Sequence, residues 1–338
     1  MILLAIGLAN TGVAFVYGVL GFQKVAEIGA YDGLIFLFSL FWLEASFLLW
    51  LYVFRTQEFG VIQYLIVGIL LFTSLTKSAF QGNRGSLISI FILIAFAFVF
   101  SGRKIKLKHN LIGAALIVVA IFVGMIYGTT FRNVKQNQDT MAMDQYAGMI
   151  LDTFSRISEQ DLTASLEVGF AALAERIDAV TPLAVVVANY EKLAPYEESY
   201  GLDNNIWKES VNFFIPRIIW PDKPVPTDPS KYGDLYFNFA ENSFTVTPMG
   251  DLLRNFGPYG VPLGMIFLGF VIRIIYAALK ENQEFSYWRA TMFYMLLTSI
   301  SYEGSFALII PYLLKVGIIS VVGILIVRFF VGKTRPAF

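Results

Sequence analysis

Residues Phe213–Pro224 read FFIPRIIWPDKP and carry two cations, Arg217 and Lys223, between Pro216, Pro221 and Pro224. Proline locks φ at about −65°, so charges set between prolines have few arrangements open to them. Cations fixed in this way suit the binding of an anion. Arginine adds a planar donor fork that matches phosphate oxygens and is always charged. Three more arginines have the same potential. Arg84 stands in GNRGS ahead of an apolar run, where the positive end of a helix and the free amides after Gly85 would add to its charge. Arg176 lies in a helical pattern, and Arg254 lies in DLLRNFG. An isolated arginine beside an apolar helix is more often an interfacial anchor or half of an ion pair. That reading stands beside the functional one at each position.

Several other chemistries are excluded. The chain has no cysteine, which removes disulfides, thiolate catalysis and cysteine metal sites. Its one histidine, His109, falls in the basic run SGRKIKLKHN, so a histidine-rich metal site or a Ser-His-Asp triad elsewhere cannot be built. Carboxylates remain as general bases. Asp222 lies within the proline segment, while Asp251 and Glu303 lie next to the ends of apolar helices.

The elements that must hold these residues are membrane helices. Of the 338 residues, 57% are hydrophobic, and a bilayer core needs about 20 consecutive apolar residues to span it. Eight segments qualify as candidates: Met1–Phe22, Gly33–Phe54, Phe59–Thr76, Ser86–Ser101, Asn110–Gly128, Pro258–Leu279, Tyr287–Ile300 and Ala307–Val331. Met1–Phe22 has no positive region before its apolar run and reads as a helix that is kept, with no cleaved signal. The predicted fold class is therefore all-α, a polytopic helical membrane protein. Arg103, Lys104, Lys106 and Lys108 crowd one loop, and Arg328, Lys333 and Arg335 mark the C-terminus. By the positive-inside rule both are cytoplasmic, which puts the N-terminus inside as well and the 129–257 segment outside. That segment holds 18 Asp and Glu against 10 Lys and Arg, a net of −8.

Three regions follow: helices one to five over 1–128, a large partly helical outer loop over 129–257, and helices six to eight with a cytoplasmic tail over 258–338. In the loop, Leu162, Leu166, Phe170, Leu173 and Ile177 recur at helical spacing, and Met141–Ile157 shows a weaker version. Pro216–Pro229 holds five of the twelve prolines, which predicts a rigid extended track. Two charges, Glu44 and Lys315, fall inside apolar segments, where they either pair or line a path.

The chain resembles the Wzy-type oligosaccharide repeat-unit polymerases, bacterial membrane enzymes of surface polysaccharide synthesis. NRGSLI over Asn83–Ile88, FFIPRIIWPDKP, and TVTPMGDLLRNFGPYG over Thr245–Gly260 carry the resemblance. Members of that family usually have ten or more helices, so this chain is a short variant or has further helices before Met1. The resemblance implies a metal-independent, cofactor-free glycosyltransferase of the bacterial cytoplasmic membrane. It would move a growing glycan from undecaprenyl diphosphate onto a lipid-linked repeat unit at the outer face. Arg217 and Arg84, with Lys223, would stabilise the leaving diphosphate, with Asp251, Glu303 or Asp222 as the base. Arg176 and Arg254 would add further sugar or phosphate contacts, and Tyr232 and Tyr236 would stack on sugars. Trp207 and Trp220 could stack as well, although an aromatic belt is the more common role for tryptophan at a membrane boundary. The implied partners are the lipid-linked oligosaccharide, the bilayer, a chain-length regulator and a flippase, with no nucleic acid. An O-antigen ligase or a non-catalytic component of a polysaccharide assembly complex are the alternatives.

Overall fold

Backbone amides withdrawn from water must be satisfied along their own segment, and long apolar runs achieve this as helices. In the computed structural model the described residues form helices and no strand. These residues are 1–20, 29–56, 59–83, 85–104, 106–135, 143–159, 161–178, 180–224, 229–239, 246–301 and 303–331. They divide into two compact units, the first holding the helices up to Ile177 and the second those from Val180 onward.

The first unit contains α1 (Ile2–Val16), α2 (Asp32–Arg55), α3 (Val61–Gln81), α4 (Ser86–Phe100), α5 (Leu107–Lys135), α6 (Met143–Glu159) and α7 (Leu162–Ile177). A side chain at Gly7 of α1 would run into the backbone of Phe41 and Trp42, so glycine permits this close approach to α2. The turn between α3 and α4 is tight. Gly82 ends α3 at φ 58, and a Cβ there would strike the Phe131 ring. The hydroxyls of Ser78 and Ser86 meet across the turn at 2.6 Å. Tyr146, Met149 and Ile150 of α6 bury against Tyr127 and Phe131 of α5. α7 also packs on α5, where the Phe170 and Phe122 rings lie 4.7 Å apart edge to face. The helical pattern read at 162–177 is thus a helix, but its buried side includes the small residues Ser165 and Gly169, while Phe170 is largely exposed.

The second unit contains α8 (Val180–Glu197), α9 (Asn205–Asn212), α10 (Pro229–Phe237), α11 (Thr247–Leu279), α12 (Tyr287–Thr298) and α13 (Phe306–Val331). α8 packs on α10 and α11, and α9 packs along α13. Val186, Leu202, Tyr232, Tyr236, Val246 and Leu253 form the core that these helices share. α11 is broken at Gly257, whose φ of 70 and ψ of −169 suit only glycine. The stretch Thr247–Phe256 is therefore a separate short helix ahead of the apolar one.

Each of the eight apolar segments contains a helix among its described residues, and five of the helices, α2, α3, α5, α11 and α13, are long and apolar enough to cross a bilayer. α1 and α4 have 15 residues each and α12 has 12. At 1.5 Å per residue these rise only about 22 and 18 Å, against a core of ~30 Å. The protein is a helical membrane protein.

Candidate functional site

Over residues 216–224 the segment after α9 is turned, where an extended track was expected across Pro216–Pro229; residues 225–228 lie outside the described residues. Pro216 O accepts from the amides of Ile219 at 2.9 Å and Trp220 at 3.1 Å, and Trp220 O accepts from Lys223 N–H at 3.1 Å. Proline initiates turns as readily as it stiffens extended chain, and the two cations lock these turns from within. The Arg217 guanidinium donates to Pro221 O at 3.1 Å and Pro224 O at 3.4 Å, and Lys223 Nζ donates to Ile215 O at 2.9 Å.

Lys315 of α13 joins them. Its Nζ lies 5.7 Å from the Phe213 ring centroid, and its charge acts on Lys223. Burial, then the charges of Lys315 and Arg217, hold the Lys223 ammonium below the usual lysine range, while Glu209 pulls the other way. Lys315 and Arg217 thus crowd Lys223, with the Glu209 carboxylate partly offsetting them, and a bound anion would relieve the remaining repulsion.

A second cluster joins α8, α9, α10, α11 and the start of α13. Arg254 is its centre, with its side chain 0% exposed. The guanidinium meets Glu197 Oε1 at 2.5 Å and Asp251 Oδ1 at 3.1 Å, and donates to Tyr232 Oη at 2.8 Å and Asn205 Oδ1 at 3.2 Å. Asp251 Oδ1 also accepts from Asn205 Nδ2 at 3.0 Å. Its Oδ2 accepts from Ser305 Oγ at 2.6 Å and from the Ala307 amide at 2.9 Å. That second bond seats a carboxylate on the positive end of α13. Tyr236 Oη donates to Glu197 Oε1 at 2.6 Å. Burial chiefly, with Asp251 acting on Tyr232 and Glu197 on Tyr236, raises both phenol pKa values, so these tyrosines remain protonated.

The residues singled out in the sequence therefore separate. Arg217 and Lys223 share the cationic turn, with Asp222 exposed beside them. Arg254, Asp251, Tyr232 and Tyr236 share the buried network. There the two tyrosine rings lie in the core, and both oxygens of Asp251 are engaged by protein donors. Glu303 is half-buried two residues before Ser305, with its amide bonded to Ser301 Oγ at 3.2 Å. Arg176 is on α7, and Arg84 lies outside the described residues.

Sequence reasoning did not single out Glu197, Asn205 and Ser305, whose roles arise only when distant segments meet. It noted Lys315 without its partners. The three-residue spacing of Asp251 and Arg254 was a usable signal, since it puts both on one helix face. The Glu44 carboxyl is fully buried in α2, with neither oxygen hydrogen-bonded among the described residues.

Fold and site together define a polytopic helical membrane protein with a cationic turn packed beside a helix of spanning length. The chain belongs to the family described as a domain of unknown function (DUF8712), whose model it matches over residues 13–310. No curated protein and no solved structure matches it.

Proposed function

We propose that this protein is a bacterial glycan polymerase of the cytoplasmic membrane, oriented with both termini inside. It would transfer a growing chain from undecaprenyl diphosphate to a lipid-linked repeat unit at the outer face. The observation that carries this reading is the convergence of Arg217, Lys223 and Lys315 on the proline turn beside α13. A lipid diphosphate is an anion delivered at the membrane boundary, where these cations would meet it.

In the reaction the bond from the anomeric carbon to the diphosphate oxygen breaks, and a bond to the acceptor hydroxyl oxygen forms. Negative charge grows on the departing diphosphate, and fixed cations stabilise it. The hydroxyl proton passes to a carboxylate. Asp222 and Glu303 are the candidates for that role, because Asp251 has both oxygens committed to Ser305, Ala307, Asn205 and Arg254. Arg84 and Arg176 are further candidate contacts to phosphate or sugar. The Arg254 network would hold the outer helices in register with α13.

Deleting the gene in its native host and running surface glycans on a gel tests the reading. Collapse of a ladder to one capped repeat unit supports a polymerase. Long lipid-linked polymer with no surface glycan identifies a ligase, and an unchanged ladder removes both.

A further inference from the structure

A string of large apolar side chains faces outward along α9 and the turn that follows. Trp207 is 62% exposed, Phe214 73% and Ile219 75%, with Val211, Ile218 and Trp220 completing the patch. Residues 207, 211 and 214 follow a four-then-three spacing, so they lie on one side of α9 and its extension. Exposed apolar patches of this kind mark a binding surface.

The packing of α9 on α13 says what covers it. Asn205 Nδ2 lies 3.5 Å from Ser305 Oγ, just ahead of α13. At the other end of α9, the Phe213 ring is 5.7 Å from Lys315 Nζ. α9 therefore descends beside α13 from its N-terminus to the level of Lys315. From Phe306 to Lys315 is nine residues (315 − 306), a descent of ~13 Å at the helical rise. α13 has 26 residues, ~39 Å in length. Against a hydrocarbon core of ~30 Å, at most ~9 Å of it stands clear of the core. With that excess shared between its two ends, the foot of α9 and its turn reach the acyl chains, even with the Lys315 side chain leaning toward the N-terminus of α13.

The surrounding charges fit the same depth. Lys208, paired with Asp203, and Arg217 and Lys223 are interleaved with the apolar residues along the chain, as in elements that lie at a membrane boundary, and Trp207 and Trp220 are of the type favoured there. We propose that α9 and the proline turn form an interfacial element, with Val211, Phe214 and Ile219 immersed in the bilayer leaflet at the N-terminal end of α13. The occupant of this patch is lipid.

The absence of cysteine makes the test direct. Val211→Cys, Phe214→Cys and Ile219→Cys, each in the full chain, are spin-labelled in nanodiscs of phosphatidylethanolamine and phosphatidylglycerol. Relaxation by oxygen is compared with relaxation by a water-soluble nickel chelate, with Glu198→Cys in an exposed turn as the aqueous reference. The expected result is oxygen dominant over nickel at the three apolar positions and the reverse at Glu198. Nickel dominance at the three positions would put the patch in water and overturn the proposal. Exclusion of both relaxants would mean that protein covers the patch, which also overturns it. Three separate positions keep the test decisive if one substitution disturbs folding.

Discussion

Arg254 and Glu197 meet at 2.5 Å in the interior of the second unit, 57 residues apart in the chain (254 − 197), with the arginine side chain wholly shielded from solvent. Asp251, one helical turn from Arg254, completes a group of two carboxylates around one guanidinium. Breaking a buried ion pair leaves uncompensated charge in a medium that solvates it poorly.

Arg254→Ala should therefore destabilise the protein by about 3–5 kcal/mol. Arg254→Lys should recover little of this, because one ammonium cannot span Glu197, Asp251, Asn205 and Tyr232 as the fork does. Thermal unfolding in detergent, with membrane level as a second readout, checks both. A lysine variant as stable as the parent would mean that charge alone suffices.

Arg217→Ala should abolish polymer formation while membrane levels stay normal. The guanidinium also ties the turn through Pro221 and Pro224, so the glycan ladder and the thermal midpoint should be read together. Arg217→Lys should fail too if phosphate is held in two-pronged fashion. Normal activity from the lysine variant would reduce the role to that of a point charge.

Lys223 carries a pH prediction. Its folded-state pKa is depressed, with burial as the largest cause and the Lys315 and Arg217 charges next. Folding therefore disfavours its cation, and the charge is lost at a lower pH than for a free lysine. Anion binding and transfer that depend on this charge should weaken as pH rises through the lowered value, with full effect below it. Lys223→Arg stays charged throughout and should flatten the alkaline limb of a pH–rate profile. Identical profiles for the two proteins would take Lys223 out of the binding step.

Gly257→Ala should cost about 1–3 kcal/mol, because φ 70 with ψ −169 places a side chain in a region other residues hardly enter. The strain would act where the short helix bearing Asp251 and Arg254 turns into the apolar part of α11. A drop in the thermal midpoint would register it, and an unchanged midpoint would show that α11 can straighten at no cost.

The membrane class and most helix positions were readable along the chain. Ser86 opens α4 as expected, and Leu279 closes α11 as expected. Hydropathy is a local property, and a segment that cannot bond its amides to water has one regular solution. The start of α11 was less readable. Its apolar part begins at Pro258, but the helix ahead of Gly257 carries Asp251, Arg254 and Asn255 and buries Asp251 together with Leu252, so hydropathy alone ends at the bend. The proline segment misled for a related reason, since proline restricts φ without choosing between extended chain and turn. The choice lay with the bonds from Arg217 and Lys223 back to their own carbonyls.

By itself the sequence determined that this is a helical membrane protein, where its long apolar helices run, and which cations are candidates for an anion. Those conclusions rest on composition and spacing over windows of about 20 residues, a range in which neighbours in the chain are neighbours in space. The tertiary structure decided which candidates act together. It set Arg254, Asp251, Tyr232 and Tyr236 in a buried network with Glu197 and Asn205, and it brought Lys315 to the proline turn. A charge acts over a few ångströms in a low-dielectric interior whatever the chain length between partners, and only the folded helices bring such partners within that distance.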